Sequence, residues 1–499
     1  TISPLIYGVA NAGDEPRDMK AAAYRFGGNP ASRFNWSLGN AWNTGNDWYF
    51  QNVNAGPVWE HLIGASVERE VPLTVTIPML GWVARDDHSY SYPVSAFGAQ
   101  TSVDPEHPDV GNGVSKRAGP IRAGDPLRTS IPAPPELIRK WVEMIVKESQ
   151  QRGRPVHSYI LDNEPNLWSS THRDVHPEPL GYDELLERTI RYGSAIRAAD
   201  PDAIIAGPAE WGWSNYFWSA KDAASGFTLR PDRRAHGDMP LLDWYLSKLR
   251  EHEAKSGVRV LDVVDLHFYP QGKNLYAAGG EGGTDPETSQ RRIRATRALW
   301  DPTYADESWI NERIHLLPRL KDIIERNYPG RRISIGEWNF GAEAHISGGL
   351  ATAEALGRFA QAGIYSAYFW LAPRAGTPAY WAFRAYRNFD GQGGAFLDHF
   401  VRTTSPKEVS IFASSNAEQS RHVLVIVVPT SESSFRLNFR LTNCKPVTAW
   451  RTFVYASTSK GLVPSKLGGD GNVADVFPPH SIGVLELNSQ REVPIDHGG

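Results

Sequence analysis

Two glutamates stand out among the 56 acidic residues because of what surrounds them. Leu161-Asp162-Asn163-Glu164-Pro165 puts a carboxyl group at the end of a short apolar run that Pro165 stops, and Ile333-Ser334-Ile335-Gly336-Glu337-Trp338-Asn339 puts Glu337 in a similar place. Two carboxyl groups flanking one bond are what glycoside hydrolysis requires: one protonates the departing oxygen while the other attacks the anomeric carbon or activates water. A separation of roughly 5–5.5 Å gives retention through a covalent glycosyl-enzyme, and roughly 6.5–9.5 Å gives inversion. Like charges at the shorter distance resist ionising together, so one member of the pair stays protonated near neutral pH. Asn163, beside Glu164, is expected to bind the sugar 2-hydroxyl, a contact that strengthens toward the transition state.

Elements that would hold such a pair can be read along the chain. Up to about residue 380, short apolar runs alternate with longer segments of helical period, the pattern of repeated βα units on a parallel sheet. Strands are expected over residues 5–9, 24–26, 73–79, 158–161, 203–206, 264–268, 333–335 and 365–370, and eight such strands close a (β/α)8 TIM-like barrel. Glu164 and Glu337 then sit at the C-terminal tips of the fourth and seventh strands, which face each other across the barrel mouth. Either residue alone reads equally well as a surface acid or half of an ion pair. It is their joint placement that favours chemistry.

Helix faces are marked by Leu137, Ile138, Trp141, Val142 and Ile145, by Tyr182, Leu185, Leu186, Ile190 and Ile196, and by Leu241, Leu242, Tyr245, Leu246 and Leu249. Residues 89–129 and 271–309, rich in Pro, Gly, Ser and charge, are expected to be long loops, which are usually functional or mobile. Beyond about residue 390 the pattern turns to period-2 runs such as Phe435-Arg436-Leu437-Asn438-Phe439. This predicts a (β/α)8 catalytic barrel over residues 1–385 and an antiparallel β-sandwich over 386–499, completed by the N-terminal residues if they add to it. Trp450 and Phe453 favour a sandwich that packs on the barrel over one that binds sugar.

Other side chains belong to the candidate site by position. Arg25 ends the second strand and Arg fits a carboxylate partner such as Glu337, although an ordinary buried ion pair fits it equally well. His267, at the end of the sixth, either orients the nucleophile, binds a sugar hydroxyl or is a core histidine. Trp36, Trp42, Trp82, Trp168, Trp211, Trp213 and Trp370 fall on loops or strand ends and are candidate stacking platforms, with core packing the alternative for each.

Several classes are disfavoured. A formal net charge of -4 offers no basic stripe for nucleic acid, and no run approaches the ~20 apolar residues that span a bilayer. The single cysteine, Cys444, precludes an intrachain disulfide or a multi-cysteine metal site. There is no Gly-x-Ser-x-Gly elbow, nucleotide-binding glycine motif or His-Glu-x-x-His. Asp104, Glu106, Asp109 and Asn112 lack the regular spacing of an EF-hand loop.

The residues also carry a family resemblance. Leu161-Asp162-Asn163-Glu164-Pro165-Asn166-Leu167-Trp168, Thr171-His172, Val175-His176-Pro177-Glu178, His267-Phe268-Tyr269-Pro270, Leu299-Trp300-Asp301-Pro302-Thr303-Tyr304, Ser308-Trp309-Ile310 and Ile346-Ser347-Gly348-Gly349 resemble glycoside hydrolase family 44, a clan A family of endoglucanases and xyloglucanases. Arg25-Phe26-Gly27-Gly28-Asn29 and Asn35-Trp36 extend the likeness to the N-terminal region. The resemblance implies a barrel plus sandwich and a retaining mechanism with Glu164 as acid/base and Glu337 as nucleophile. It implies endo-cleavage of β-1,4-glucan backbones, namely cellulose derivatives, mixed-linkage glucan and xyloglucan, with xylan as a side substrate. The alternatives are a clan A hydrolase specific for xylan or mannan and an inactive carbohydrate-binding protein. No cofactor is expected for catalysis, a structural Ca²⁺ is suggested by relatives, and a secreted monomer with no nucleic-acid or membrane partner is expected.

The chain departs from the resemblance at Glu337-Trp338, where relatives have Glu-Tyr, which makes Trp338 an expected wall of the site and a place where substrate preference is set. His267-Phe268-Tyr269 resembles a His-Trp-Tyr run and keeps the Tyr269 hydroxyl to orient a carboxylate or touch sugar.

Overall fold

The computed structural model describes residues 1–10, 15–56, 59–153, 156–429, 432–442, 446–469 and 472–489, and Cys444 lies outside the described residues. Eight parallel strands close a barrel: β1 (Gly8–Val9), β2 (Ala23–Phe26), β3 (Leu73–Ile77), β4 (Ser158–Leu161), β5 (Ile205–Glu210), β6 (Val263–Phe268), β7 (Arg332–Trp338) and β8 (Ser366–Phe369). They pair in sequence order, and β8 closes against β1 through Gly8 opposite Tyr368. Helices α1 (Trp59–Arg69), α2 (Pro135–Gln151), α3 (Tyr182–Ala199), α4 (Leu241–Ser256), α5 (Pro286–Ala295), α6 (Leu316–Asn327), α7 (Ile346–Ala362) and α8 (Pro378–Arg387) surround it. The helix faces read from the sequence are the faces that are buried: Ile138, Trp141, Val142 and Ile145 of α2 are each at most 1% exposed.

All eight expected strands form, with displaced ends. Residues 5–7 belong to a 3-10 helix, Pro4–Tyr7, because Pro4 fits its first position and Ser3 accepts the Leu5 N–H, so β1 keeps only two residues. The fifth strand was expected over residues 203–206 but runs to Glu210 through a register shift between Pro208 and Glu210. Pro208 donates no hydrogen bond, which is why a sequence reading stops the strand before it.

The expected loop over residues 271–309 contains helix α5. Asp285 caps it by accepting the Thr288 N–H, and Pro286 starts it. Its apolar stripe is weak because buried Arg292 takes the core position, donating to the carbonyls of Phe340, Leu275 and Gly283 and to Ser347 Oγ.

The C-terminal region is antiparallel: β9 (His399–Val401), β10 (Ser410–Ser415), β11 (Arg421–Val428), β12 (Phe435–Phe439), β13 (Val447–Ala456), β14 (Val463–Gly468), β15 (Val473–Phe477) and β16 (Ser481–Ser489). Six strands form one sheet in the order β9-β10-β11-β16-β13-β14, and β12 pairs with β15 separately. Alternation along β11 sorts the two faces: Val423, Val425 and Val427 join the cluster that includes the barrel and its helices, while Leu424, Ile426 and Val428 join a second cluster with Leu437 and Phe477 of the small sheet. Phe453 lies on the barrel side and Trp450 on the other, so both rings are core residues. From the N-terminal segment, Ile2 N–H donates to Asp398 O just before β9, and the chain then enters the barrel.

Close approach of α7 to this sheet depends on Gly357, where a Cβ would lie 2.3 Å from the Phe412 ring. Alanine in a helix is ordinarily favoured over glycine by about 1 kcal/mol, but overpacking a core contact costs about 1–3 kcal/mol. Gly357→Ala is expected to lower the thermal midpoint by about 1–2 °C in a calorimetric scan, since unfolding a chain of this length has an entropy of about 1 kcal/mol per degree. An unchanged or raised midpoint would show that the sheet yields freely at this contact.

Candidate active site

Glu164 lies three residues beyond the end of β4, and a non-glycine residue is seldom found in its backbone conformation, φ 45° and ψ 55°. Neighbouring groups hold it there. The Glu164 N–H donates to Ala209 O at 2.9 Å, and buried Asp162 accepts from the Met79 and Leu80 N–H groups, Ser32 Oγ and Trp168 Nε1. Glu337 is the penultimate residue of β7, opposite His267 of β6.

The two carboxyl groups meet: an oxygen of each and a ring nitrogen of His267 all lie within 4.8 Å of one another. Glu337 accepts from Arg25 Nη1 at 2.7 Å through Oε1 and from the Tyr269 hydroxyl at 2.8 Å through Oε2. Arg25, fully buried, also donates to Asn163 Oδ1 at 3.0 Å, and Asn163 Nδ2 donates to Asn29 Oδ1 at 3.0 Å. His267 Nδ1 is 2.8 Å from Glu164 Oε1 and 3.5 Å from Glu337 Oε2, so its closer partner is Glu164 rather than the expected nucleophile.

These contacts separate the two acidities. Burial raises the Glu164 carboxyl, and the neighbouring Glu337 charge adds to the rise against the opposing pull of His267 and Arg25. Burial would raise Glu337 too, but the charges of His267 and Arg25 and the hydrogen bonds from Arg25 and Tyr269 outweigh it and hold the group below its ordinary value. Burial lowers His267, and the two glutamates more than offset this. The arrangement therefore presents one acid and one carboxylate to the same space.

The tryptophans divide. Trp370 follows β8, is half-buried, and has its ring centroid 6.0 Å from the Arg25 guanidinium. It lies flush against Gly28, whose φ of +92° and 2.6 Å Cβ-to-ring distance leave no room for a side chain. Trp211 and Trp82 are half-buried beside strand ends. Trp36 donates its Nε1 to Leu137 O, and Trp42 stacks on Phe26 at 6.2 Å, so both rings are partly committed to packing. Trp213 is 6% exposed and packs on Tyr216 and Phe217.

Two expectations are corrected. Trp168 is fully buried and bonded to Asp162, so it supports the acid-bearing turn and cannot stack on a sugar. Trp338 is also fully buried, between Phe359 of α7, Phe369 of β8 and Phe383 of α8. Successive strand residues face opposite ways, so when Glu337 points inward Trp338 points into the helix layer, and it is neither a site wall nor a contact that sets preference.

Some residues of the site were missed by the sequence reading. The Tyr276 ring lies 4.7 Å from Tyr269, and its hydroxyl is pushed up to about 12 by burial and by Glu337. Asp47, raised by burial, accepts from Asn29 Nδ2 and extends the Arg25–Asn163–Asn29 chain. Asp47 sits in the short 3-10 helix Gly45–Trp48 and Tyr276 on a loop, and neither has a periodicity to mark it. Glu210, at the tip of β5, meets the same criterion that found Glu164 and was missed because the strand was ended four residues early.

Among the described residues, Glu164, His267 and Glu337 are the one group of three or more His, Asp or Glu side chains that converges as metal ligands would. Asp104 and Asp109 instead accept hydrogen bonds from Gln51, Trp48, Ser95 and Tyr90. The acidic run of residues 104–112 does not fit a Ca²⁺ centre.

Carboxyl groups this close and unequal in acidity, on the C-terminal rim of a closed parallel barrel, are the arrangement of the two-carboxylate glycoside hydrolases. The family model described as glycoside hydrolase family 44 matches residues 41–272. CelM2, a bifunctional glucanase-xylanase from a metagenome library, is 33% identical with a TM-score of 0.92 over 98% of this chain and 97% of its own. The Paenibacillus polymyxa xyloglucanase of family 44 is 27% identical with a TM-score of 0.80 over 98% of this chain and 97% of its own. Endoglucanase A of Paenibacillus lautus is 31% identical over 92% of this chain, which spans 66% of that relative's length. The chain belongs to glycoside hydrolase family 44. No described helix is long and apolar enough to cross a membrane.

Proposed function

We propose that the protein is a retaining endo-β-1,4-glucanase that cleaves glucan backbones, xyloglucan included, with xylan as a side substrate. The observation that carries this reading is that an oxygen of each carboxyl group lies within 4.8 Å of the other, an approach that supports retention over the wider separation of roughly 6.5–9.5 Å that inversion needs. Glu337, ionised and held by Arg25 and Tyr269, attacks the anomeric carbon. Glu164 protonates the leaving oxygen, and then, as a carboxylate, takes a proton from the water that releases the sugar. Asn163, fixed from both sides by Arg25 and Asn29, binds the 2-hydroxyl of the sugar under attack. Trp370 and Trp211 are the rings best placed to stack on sugar. The related glucanase-xylanase and xyloglucanase support the substrate range. A polymeric substrate supports action outside the cell.

The first product anomer tests the mechanism. Proton NMR of early hydrolysis of a β-glucan is expected to show the β-anomer before mutarotation, and initial α-anomer would exclude retention. Reducing-sugar rates on glucan, xyloglucan, xylan and mannan are expected to be highest on the first two.

A further inference from the structure

The Glu164 turn has a second support, on the side of β5. Its left-handed backbone is immediately followed by Pro165, and the residue before a proline is disfavoured in helical conformations, so the turn requires bonds from outside to hold it. One is the Glu164 N–H to Ala209 O bond. Another comes from the next strand residue. Asn166 Nδ2 donates to Glu210 Oε1 at 2.6 Å, and Asn166 Oδ1 accepts the Ala220 N–H at 2.7 Å. Both polar ends of the Asn166 amide are thereby used, and both Asn166 and Glu210 are buried.

We propose that Glu210 is a positioning residue for Glu164: through Asn166 its buried carboxyl group holds the left-handed turn that aims the acid/base at the cleft. The inference rests on the acid/base reading of Glu164. Glu210 is 1% exposed, and among the described residues its Oε2 has no hydrogen-bond partner. Burial, with the charge of Glu164 adding to it against the hydrogen bonds from Asn166 and Trp211, pushes the carboxyl up to about 8, which favours its neutral form near neutral pH. A neutral acid accepts from Asn166 without placing a second full negative charge beside the catalytic pair. An ion pair would position the turn equally firmly, but it would alter the acidity of Glu164.

Because the carboxyl works in its neutral form, glutamine is its isostere. Glu210→Gln is expected to keep near wild-type turnover. Glu210→Ala is expected to lower kcat on β-glucan by about 10²-fold, the scale of a displaced catalytic group, with KM little changed. The formation of glycosyl-enzyme from 2,4-dinitrophenyl β-cellobioside, read as the burst of dinitrophenol, needs no acid and is expected to fall far less. Asn166→Ala cuts the same link and carries the same expectation, which covers a failure of Glu210→Ala to fold. Equal loss on both substrates, a Glu210→Gln variant as impaired as Glu210→Ala, or undiminished polymer turnover in Glu210→Ala would each overturn the proposal. Glu164→Ala is run beside them. If it shows the leaving-group selectivity and Glu210→Ala does not, the positioning role alone fails. If it shows none, the acid/base reading fails and takes this inference with it.

Discussion

Glu337→Ala is expected to abolish hydrolysis on polymer and activated substrates alike, by at least about 10⁴-fold in kcat, a conservative figure against losses near 10⁶-fold when a covalent nucleophile is removed from a well-ordered site. The reason is chemical: without this carboxylate no glycosyl-enzyme forms, whatever the leaving group. The structure adds a consequence. Glu337 receives Arg25 and Tyr269 on its two oxygens, so its removal leaves the fully buried Arg25 with Asn163 as its one hydrogen-bond partner and Asp265 as a neighbouring acid. Breaking a buried ion pair by removing one partner costs several kcal/mol, so Glu337→Ala is also expected to unfold at lower temperature than wild type, whereas the isosteric Glu337→Gln keeps a hydrogen-bond acceptor and loses less. Colourimetric turnover on an aryl cellobioside and a thermal scan separate the effects. A Glu337→Ala variant with wild-type burst kinetics would end the nucleophile assignment.

The proposed catalytic pair could be picked out in the sequence because both residues lie at the ends of apolar strands, and a strand-end acid is a local pattern. The barrel could be read because its strands and helices alternate with distinct periods. What was illegible has a common origin in direction and long-range partnering. Trp338 was placed at the site because it adjoins Glu337 in sequence, yet adjacency on a strand means opposite faces, and its partners Phe359, Phe369 and Phe383 come from three other elements. His267 could be put at a strand end, but not its choice of Glu164 over Glu337, which depends on the β6–β7 register shift beside it. Helix α5 was hidden because its core-facing residue is an arginine satisfied by four distant groups. Asp47, in a short 3-10 helix, and Tyr276, on a loop, reach the site from segments whose course no local rule fixes.

Glu164→Ala is expected to separate substrates by leaving group. On β-glucan, whose departing oxygen needs a proton, kcat should fall by about 10²–10⁴-fold, the usual contribution of general acid catalysis. On a dinitrophenyl glycoside the burst should survive, and the slow step should become deglycosylation, where the missing base is felt. The pH profile sharpens this. Glu337 is active as a carboxylate and its pKa is lowered, so its protonation sets an acidic limb displaced below the ordinary glutamate range. Glu164 is active as an acid and its pKa is raised, so activity is present below that raised value and is lost as pH climbs through it. The wild-type profile of kcat/KM on glucan is therefore a bell whose two limbs belong to the coupled pair. In Glu164→Ala the alkaline limb should vanish from kcat/KM on the activated substrate while the acidic limb remains. Persistence of an unchanged alkaline limb would assign it to another group, with His267, bonded to Glu164 and raised by both glutamates, the first to examine.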